Sequence, residues 1–328
     1  MQYIAPIRWV VVDCALYCTH PYLISMKSNN ILLQRLASKA PHLAMVFVTI
    51  IWGTTYLLVQ HGLTASSPMF FVGCRFAAAA FAACLISYKK LRHVTKQDLW
   101  AALVIGFSIT VGYGAQTIGL QYITSSESAF FTALFVPFVP FILWVGFKKV
   151  PHMMSLIGIV LAFIGLILLS GNDLSSISFN FGQMITILSA FFVAGEIILI
   201  SHFAPRVNLQ RVTVLQLMFA SLFAFISMPL VGETTIPPFS IMLLTMVVGL
   251  GLASAFIQLV MNWSQRVVEP STASVIYAGE PVWAGIFGRM AGERLPPIAL
   301  VGGALVVLSI LVSEYRPKKK NQVQERAA

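Results

Sequence analysis

The sequence predicts an all-α membrane protein: ten transmembrane helices as two inverted five-helix repeats. Three observations predict it. Hydrophobic residues make up 58% of the 328 positions and charged residues only 10%, against about 25% charged in ordinary soluble domains. The apolar residues fall into ten runs of spanning length, whereas the strands of a β-barrel would alternate polar and apolar residues. The runs divide into two fives, and superposing them at an offset of 142 to 144 pairs Gln116 with Gln258, Ala129 with Ala273, Pro137 with Pro281, Ile142 with Ile286 and Gly158 with Gly302. An odd number of spans per half turns the second half over relative to the first, the inverted repeat of many secondary transporters.

Taken in order, residues 1–41 read as an N-terminal extension, cytoplasmic or disordered. Tyr3 to Ile24 is moderately apolar, but Arg8, Asp13, His20 and two prolines suit neither a span nor a signal peptide, and Met26 offers a second possible start. The first repeat occupies 42–171, with runs near Leu43 to Val59, Pro68 to Tyr88, Leu99 to Leu120, Ser128 to Phe147 and Met153 to Leu169. The second occupies 180–313, with runs near Phe181 to Phe203, Val212 to Val231, Ser240 to Trp263, Thr272 to Ala291 and Ile298 to Ser313. Residues 314–328 form a basic cytoplasmic tail. With the amino terminus inside, all but three of the 21 lysines and arginines fall in cytoplasmic segments, the exceptions being Arg75, Arg289 and Arg294. Positive residues collect on the cytoplasmic side, so both termini are expected there, in the plasma (inner) membrane. The net charge of +10 is thereby topological and does not imply nucleic acid.

Few groups carry chemistry. Glu280 and Pro281 lie about ten residues into the ninth span, where a helix rising ~1.5 Å per residue nears the bilayer middle. A carboxylate there costs roughly 2.5–3.5 kcal/mol, so it faces water, a partner or a substrate path. Tyr277 is three positions earlier and so shares its face, and Pro281 frees a carbonyl one turn back. The alternative is a packing kink around a protonated acid. Gly112 and Gln116 in the third span, and Ser254, Gln258 and Asn262 in the eighth, form small or polar helix faces that suit either a cavity wall or interhelical hydrogen bonds. Arg75 in the second span suits an internal ion pair, or else snorkels outward. Glu196 is open between cavity wall and membrane interface, and Glu127 suits the dipole at the start of the fourth helix.

The stretches Glu280-Pro281-Val282, Gly292-Glu293-Arg294-Leu295 and Gly302-Gly303 resemble the second half of EamA-like proteins of the drug/metabolite transporter superfamily. Trp52-Gly53-Thr54, Arg75, Gln116 to Leu120, Thr124 to Ala129 and Pro137 resemble the first half, so the resemblance covers most of Leu43 to Ser313. It implies that Trp52, Gly53 and Tyr56 put aromatic and small surface at a cavity, although Trp and Tyr equally anchor membrane interfaces. One departure is Lys148-Lys149 where the second half has Gly292-Glu293.

The expected function is therefore a secondary transporter, a permease that moves a small metabolite or drug-like compound by alternating access, with the lipid bilayer as its surroundings and a proton or solute gradient as its energy source. No Gly-rich phosphate loop points to ATP, and no cofactor or metal is expected. Cys14, Cys18, Cys74 and Cys84 form neither a disulfide framework nor a zinc set. An intramembrane enzyme acting on a lipid-linked substrate is the alternative, but its acid, base or metal groups would gather at one depth, and the six histidines are scattered. A channel would need a filter-like segment or a ring of like charges. No sequence signal bears on the oligomeric state.

Overall fold

The computed structural model describes residues 31–148, 153–169, 179–238 and 240–314, and among them there is no strand. The chain runs through α1 (Ile31–Gly62), α2 (Pro68–Ser87), α3 (Lys96–Gly119), α4 (Ser125–Thr132), α5 (Phe135–Phe147) and α6 (Met153–Leu169). It continues through α7 (Phe181–Phe203), α8 (Leu209–Ser227), α9 (Ile241–Ser264), α10 (Pro270–Tyr277), α11 (Glu280–Met290) and α12 (Pro297–Glu314). Short polar residues start several of them by taking up orphan amides of the first turn. Thr95 and Asp98 form a capping box on α3, Asn180 and Gln183 form another on α7, and Thr124 and Asn208 accept from the third residue of α4 and α8.

Each of the ten apolar runs is helical, but two are broken. The fourth leaves the helix at Ala133 and Leu134 between α4 and α5, and the ninth does so at Ala278 and Gly279 between α10 and α11. A proline lies just beyond each break: Pro137 and Pro281 cannot donate to the carbonyls of Ala133 and Tyr277 four residues back. The ninth run was expected to be one kinked span from Thr272 to Ala291, and the break corrects this. Seven segments of the described residues are long and apolar enough to cross a membrane, counting α4 and α5 as one. The start of α1 is a second difference. Residues 31–41, expected to belong to an extension, continue the first helix, with Pro41 inside it, while residues 1–30 and the basic tail from 315 lie outside the described residues.

The helices pack in matched pairs. α2 lies on α8 and α6 on α12; α3 touches α8 while α9 touches α2; α11 touches α1 while α5 touches α7. Close approach is needed at the α6–α12 crossing, where a Cβ on Gly165 would stand 2.8 Å from the Gly302 carbonyl oxygen. Hydroxyls stitch neighbouring helices: Ser108 donates to the Phe192 carbonyl (2.8 Å) and Ser221 to that of Gly73 (2.9 Å).

Polarity is inverted relative to a water-soluble protein. Leu244, Val248, Leu252 and Phe256 form an exposed stripe at helical spacing on α9, while Ser254, Gln258 and Asn262 on the same helix are buried. Phe81, Leu85 and Phe107 are likewise exposed, whereas Arg75, Glu196 and Glu280 are inside. An apolar exterior around ionisable side chains belongs in lipid, because water would favour the reverse. The chain is a multi-pass membrane protein.

Candidate functional site

The buried polar groups lie along two chains of hydrogen bonds. In the first, the Tyr56 hydroxyl of α1 donates to Glu280 Oε1 at 2.5 Å. Gln116 Nε2 of α3 donates to the same hydroxyl oxygen at 2.9 Å and to Thr132 Oγ1 at 3.2 Å. Glu280 opens α11 immediately after the break, so the break itself turns its carboxylate toward α1. The half-buried Gln116 joins α1, α3 and the last residue of α4.

In the second chain, Gln258 Nε2 of α9 donates to Glu196 Oε1 of α7 at 2.7 Å, and Gln216 Nε2 of α8 donates to Gln258 Oε1 at 2.7 Å. Asn262 Nδ2 donates to the Gln258 carbonyl one turn back (2.9 Å). Glu196, only 1% exposed, is thus an interior residue. His202, further along the same helix, lies against Arg206 on the exposed side.

Aromatic side chains lie beside the first chain. Trp52 Nε1 donates to the Tyr113 hydroxyl at 3.1 Å, and the Trp52 ring meets the Tyr277 ring edge-on with centroids 5.1 Å apart. Gln265 Nε2 reaches the Tyr277 hydroxyl at 3.3 Å, and Ser201 donates to Gln265 Oε1 at 2.9 Å. Trp52 and Tyr56 are one turn apart on α1, so they share a face. Tyr277 and Glu280 both meet that face although the helix is broken between them. Pro281 is buried at the start of α11.

Arg75 departs from expectation. An internal ion pair was expected, yet the only ion pair among the described residues joins Arg211 to Asp98, at 3.2 Å. Glu280 and Glu196 accept instead from the neutral donors of Tyr56 and Gln258. Arg75 Nε donates to Ser254 Oγ at 2.8 Å, and its guanidinium carbon lies 5.3 Å from the Tyr113 ring centroid and 5.6 Å from that of Phe76. Both are cation–π distances.

Gly112 does not share the site with Gln116, since a Cβ on it would meet Val193 and Phe192 of α7. Three site residues escaped sequence reasoning. Tyr113 precedes Gln116 by three positions on α3, a spacing that signals one face. Gln216 is a lone amide in an apolar run, and Thr132 gave no signal.

Junctions at both ends flank this layer. Glu293, in the turn after α11, accepts from the backbone amides of Ser125 (3.0 Å) and Ser126 (3.1 Å) and from both hydroxyls, at 2.7 and 2.5 Å. It therefore caps α4 from outside that helix. Burial raises the Glu293 carboxyl, but hydrogen bonds from Ser126 and Ser125 outweigh burial and hold it below its ordinary value. In the same way Glu233 accepts from the amides of Met69 (2.8 Å) and Phe70 (3.1 Å) at the start of α2. At the other end of the bundle, Asp98 accepts from the Asn208 amide (3.0 Å) and pairs with Arg211, whose Nε donates to the Lys90 carbonyl (2.9 Å).

A family model described as the EamA-like transporter family matches residues 39–171 and 180–315. An uncharacterized transporter of Archaeoglobus fulgidus is 30% identical over 278 residues, 84% of this chain and 85% of that protein. A probable amino-acid metabolite efflux pump of Salmonella typhimurium is 24% identical over 274 residues, 78% of this chain and 81% of that one. A solved crystal structure superposes with a TM-score of 0.60, covering 84% of this chain and 96% of the other at 17% identity. That likeness concerns the fold.

Proposed function

Because the chain belongs to the EamA-like transporter family, we propose that it moves a small metabolite or drug-like compound across the plasma membrane by alternating access between two inverted five-helix halves. It is a transporter and not an enzyme, as its membership and its named relatives establish. Ten spans result when α4 with α5 and α10 with α11 each count as one crossing, with both termini cytoplasmic as the distribution of lysine and arginine favours.

The observation that carries the proposal is the repetition of one polar contact. Gln116 of the third helix in the first half bonds Tyr56 of the first helix, and Gln258 of the third helix in the second half bonds Glu196 of the first helix. The equivalent breaks before Pro137 and Pro281 and the matched helix pairs support the same symmetry. A polar layer enclosed by lipid-facing helices and shared by two inverted halves is where such carriers bind substrate, and rocking one half on the other opens it to each side in turn. Glu233 and Glu293 at one end and Asp98 at the other join elements of different halves, so opening at either end requires that junction to loosen.

Trp52, Tyr56, Gln116, Tyr277, Glu280 and Pro281 line the substrate path in this scheme, with Arg75, Glu196, Gln258 and Asn262 on its other side. Glu280 exchanges the coupling proton in this scheme, since among the described residues its carboxyl bonds only the phenol of Tyr56. The Salmonella relative's name makes amino-acid metabolites the first solutes to try. Proteoliposomes with an imposed pH gradient should accumulate or lose at least one solute of a metabolite mixture saturably. Glu280→Gln should insert normally but transport slowly or without response to the gradient. Equal fluxes in protein-containing and empty liposomes would overturn the carrier assignment, and an unchanged rate and pH response in Glu280→Gln would remove that residue from the path.

A further inference from the structure

Among the described residues Arg75 is the one buried cation of the polar layer, 2% exposed. Its Nε has a neutral partner in Ser254, whose own hydroxyl donates to the Leu250 carbonyl (2.7 Å). Its Nη2 is buried and makes no hydrogen bond among the described residues. The guanidinium stays protonated in any protein environment. A buried charge without a counter-charge is unfavourable, and a buried donor without an acceptor is rare enough to need a cause. The two acids of the layer do not meet the need, because each lies beyond ion-pair distance of Arg75 and accepts from another residue. Nor does the side chain escape toward lipid headgroups: it is held between Ser254 of α9 and the rings of Phe76 and Tyr113, and Trp52 fixes Tyr113 in turn.

We propose that Arg75 is the seat of a carboxylate carried by the transported substrate, and that the substrate is an organic monocarboxylate with an aromatic or apolar body. The free Nη2 supplies a charge-assisted bond to an anion. A single cation balances a single negative charge, so a phosphate dianion would be left under-neutralised. The rings of Phe76 and Tyr113 against the guanidinium, and of Trp52 bonded to Tyr113, give it aromatic surroundings that suit an apolar or aromatic body. The inference rests on the transporter assignment for the word substrate, but the anion seat can be tested without any flux.

The test uses the purified full-length chain in detergent, with binding followed by tryptophan fluorescence and thermal stabilisation. Three probes share one ring: 3-phenylpropanoate, its uncharged amide 3-phenylpropanamide, and phenyl phosphate. The carboxylate should bind at least about tenfold more tightly than the amide, the size expected of one charge-assisted hydrogen bond. Arg75→Gln should abolish that preference and Arg75→Lys should retain part of it. If Arg75→Gln does not fold, Ser254→Ala serves in its place: it leaves the cation present but unanchored, and the preference should shrink. Equal binding of carboxylate and amide by the wild type would overturn the seat, as would tighter binding of phenyl phosphate or no binding of 3-phenylpropanoate at millimolar concentration. Uptake into proteoliposomes separates the two claims. Carboxylate-selective binding with no flux of any solute would sink the transporter assignment and leave the seat standing. Saturable flux without any carboxylate preference would do the opposite.

Discussion

Replacing Glu293 tests whether the junction between the turn after α11 and the start of α4 holds the two parts of the protein together. One carboxylate takes both backbone amides and both hydroxyls of Ser125 and Ser126. An N-cap bond contributes about 1 kcal/mol, a second amide about as much, and a negative charge at the positive end of a helix about 0.5 kcal/mol. Glu293 is half-buried, so water takes over part of this, and Glu293→Ala should cost about 2 kcal/mol. Glu293→Gln keeps an acceptor and loses the charge, so it should cost about half as much. In a thermal-unfolding assay of the purified protein, Glu293→Ala should melt several degrees below wild type, while Glu269→Ala, at an exposed position, should not move.

The pH dependence supplies a second readout. The Glu293 carboxyl is held below its ordinary value in the folded protein, so its contribution is fully present above the unfolded value of about 4.3. That contribution is lost as pH falls through the lower folded value. The gap in stability between wild type and Glu293→Gln should stay constant from neutral pH down to about 5 and close below about 4. Identical melting of Glu293→Ala and Glu269→Ala, together with a gap that does not change on acidification, would refute the proposed junction.

Asp98→Asn should weaken the junction at the other end by about 1 kcal/mol, since the amide keeps one acceptor for Asn208 but loses the charge facing Arg211; unfolding curves of Asp98→Asn and Arg211→Gln should then nearly coincide. Gly165→Leu should abolish monodisperse protein on size-exclusion chromatography, because its Cβ alone would meet the Gly302 carbonyl oxygen at 2.8 Å, whereas Gly146→Ala, with nothing within 4 Å, should elute as wild type. Reporters that work only outside the cytoplasm should be active when fused after Thr64 or Thr234 and silent after Lys96, and activity after Lys96 would reverse the proposed orientation.

The helices were legible because lipid makes a simple demand: every backbone group bonded within a long apolar segment. The breaks were not, since a proline within a span reads equally as a kink, and Gly279 and Ala278 carry no decisive turn signal. The site was legible one residue at a time and not as pairs. Tyr56, Gln116, Gln258 and Glu280 each stand out as polar groups in apolar runs, but Tyr56 and Glu280 are 224 residues apart and Gln116 and Tyr56 are 60 apart. Helical spacing reports only on neighbours three or four positions away. Glu293 was visible as part of a motif, yet its role depends on the folding back of the turn after α11 onto the first half. The expected ion pair of Arg75 failed for a related reason: a buried cation demands an opposite charge, and the sequence offers Glu196 and Glu280 without showing that Gln258 and Tyr56 already hold them.

The departures from symmetry say more about mechanism than the symmetry does. In the proposed repeat the amides match, Gln116 with Gln258, but the groups they donate to do not, a phenol in one half and a carboxylate in the other. At the 144-residue offset Glu280 corresponds to Val136, so the acid before the proline exists in one half only. If the polar layer served packing alone, both halves would need the same hydrogen bonds and the same side chains would suffice. Placing an acid in one half costs roughly 2.5–3.5 kcal/mol at mid-membrane, which glue alone does not require when an amide is cheaper. In the proposed scheme of two inverted halves, the second holds the buried carboxylates of Glu196 and Glu280 and the first holds the guanidinium of Arg75, which has no ion pair among the described residues, so the layer has a directional distribution of charge. A carrier that binds a charged solute and a proton at separate places requires that arrangement.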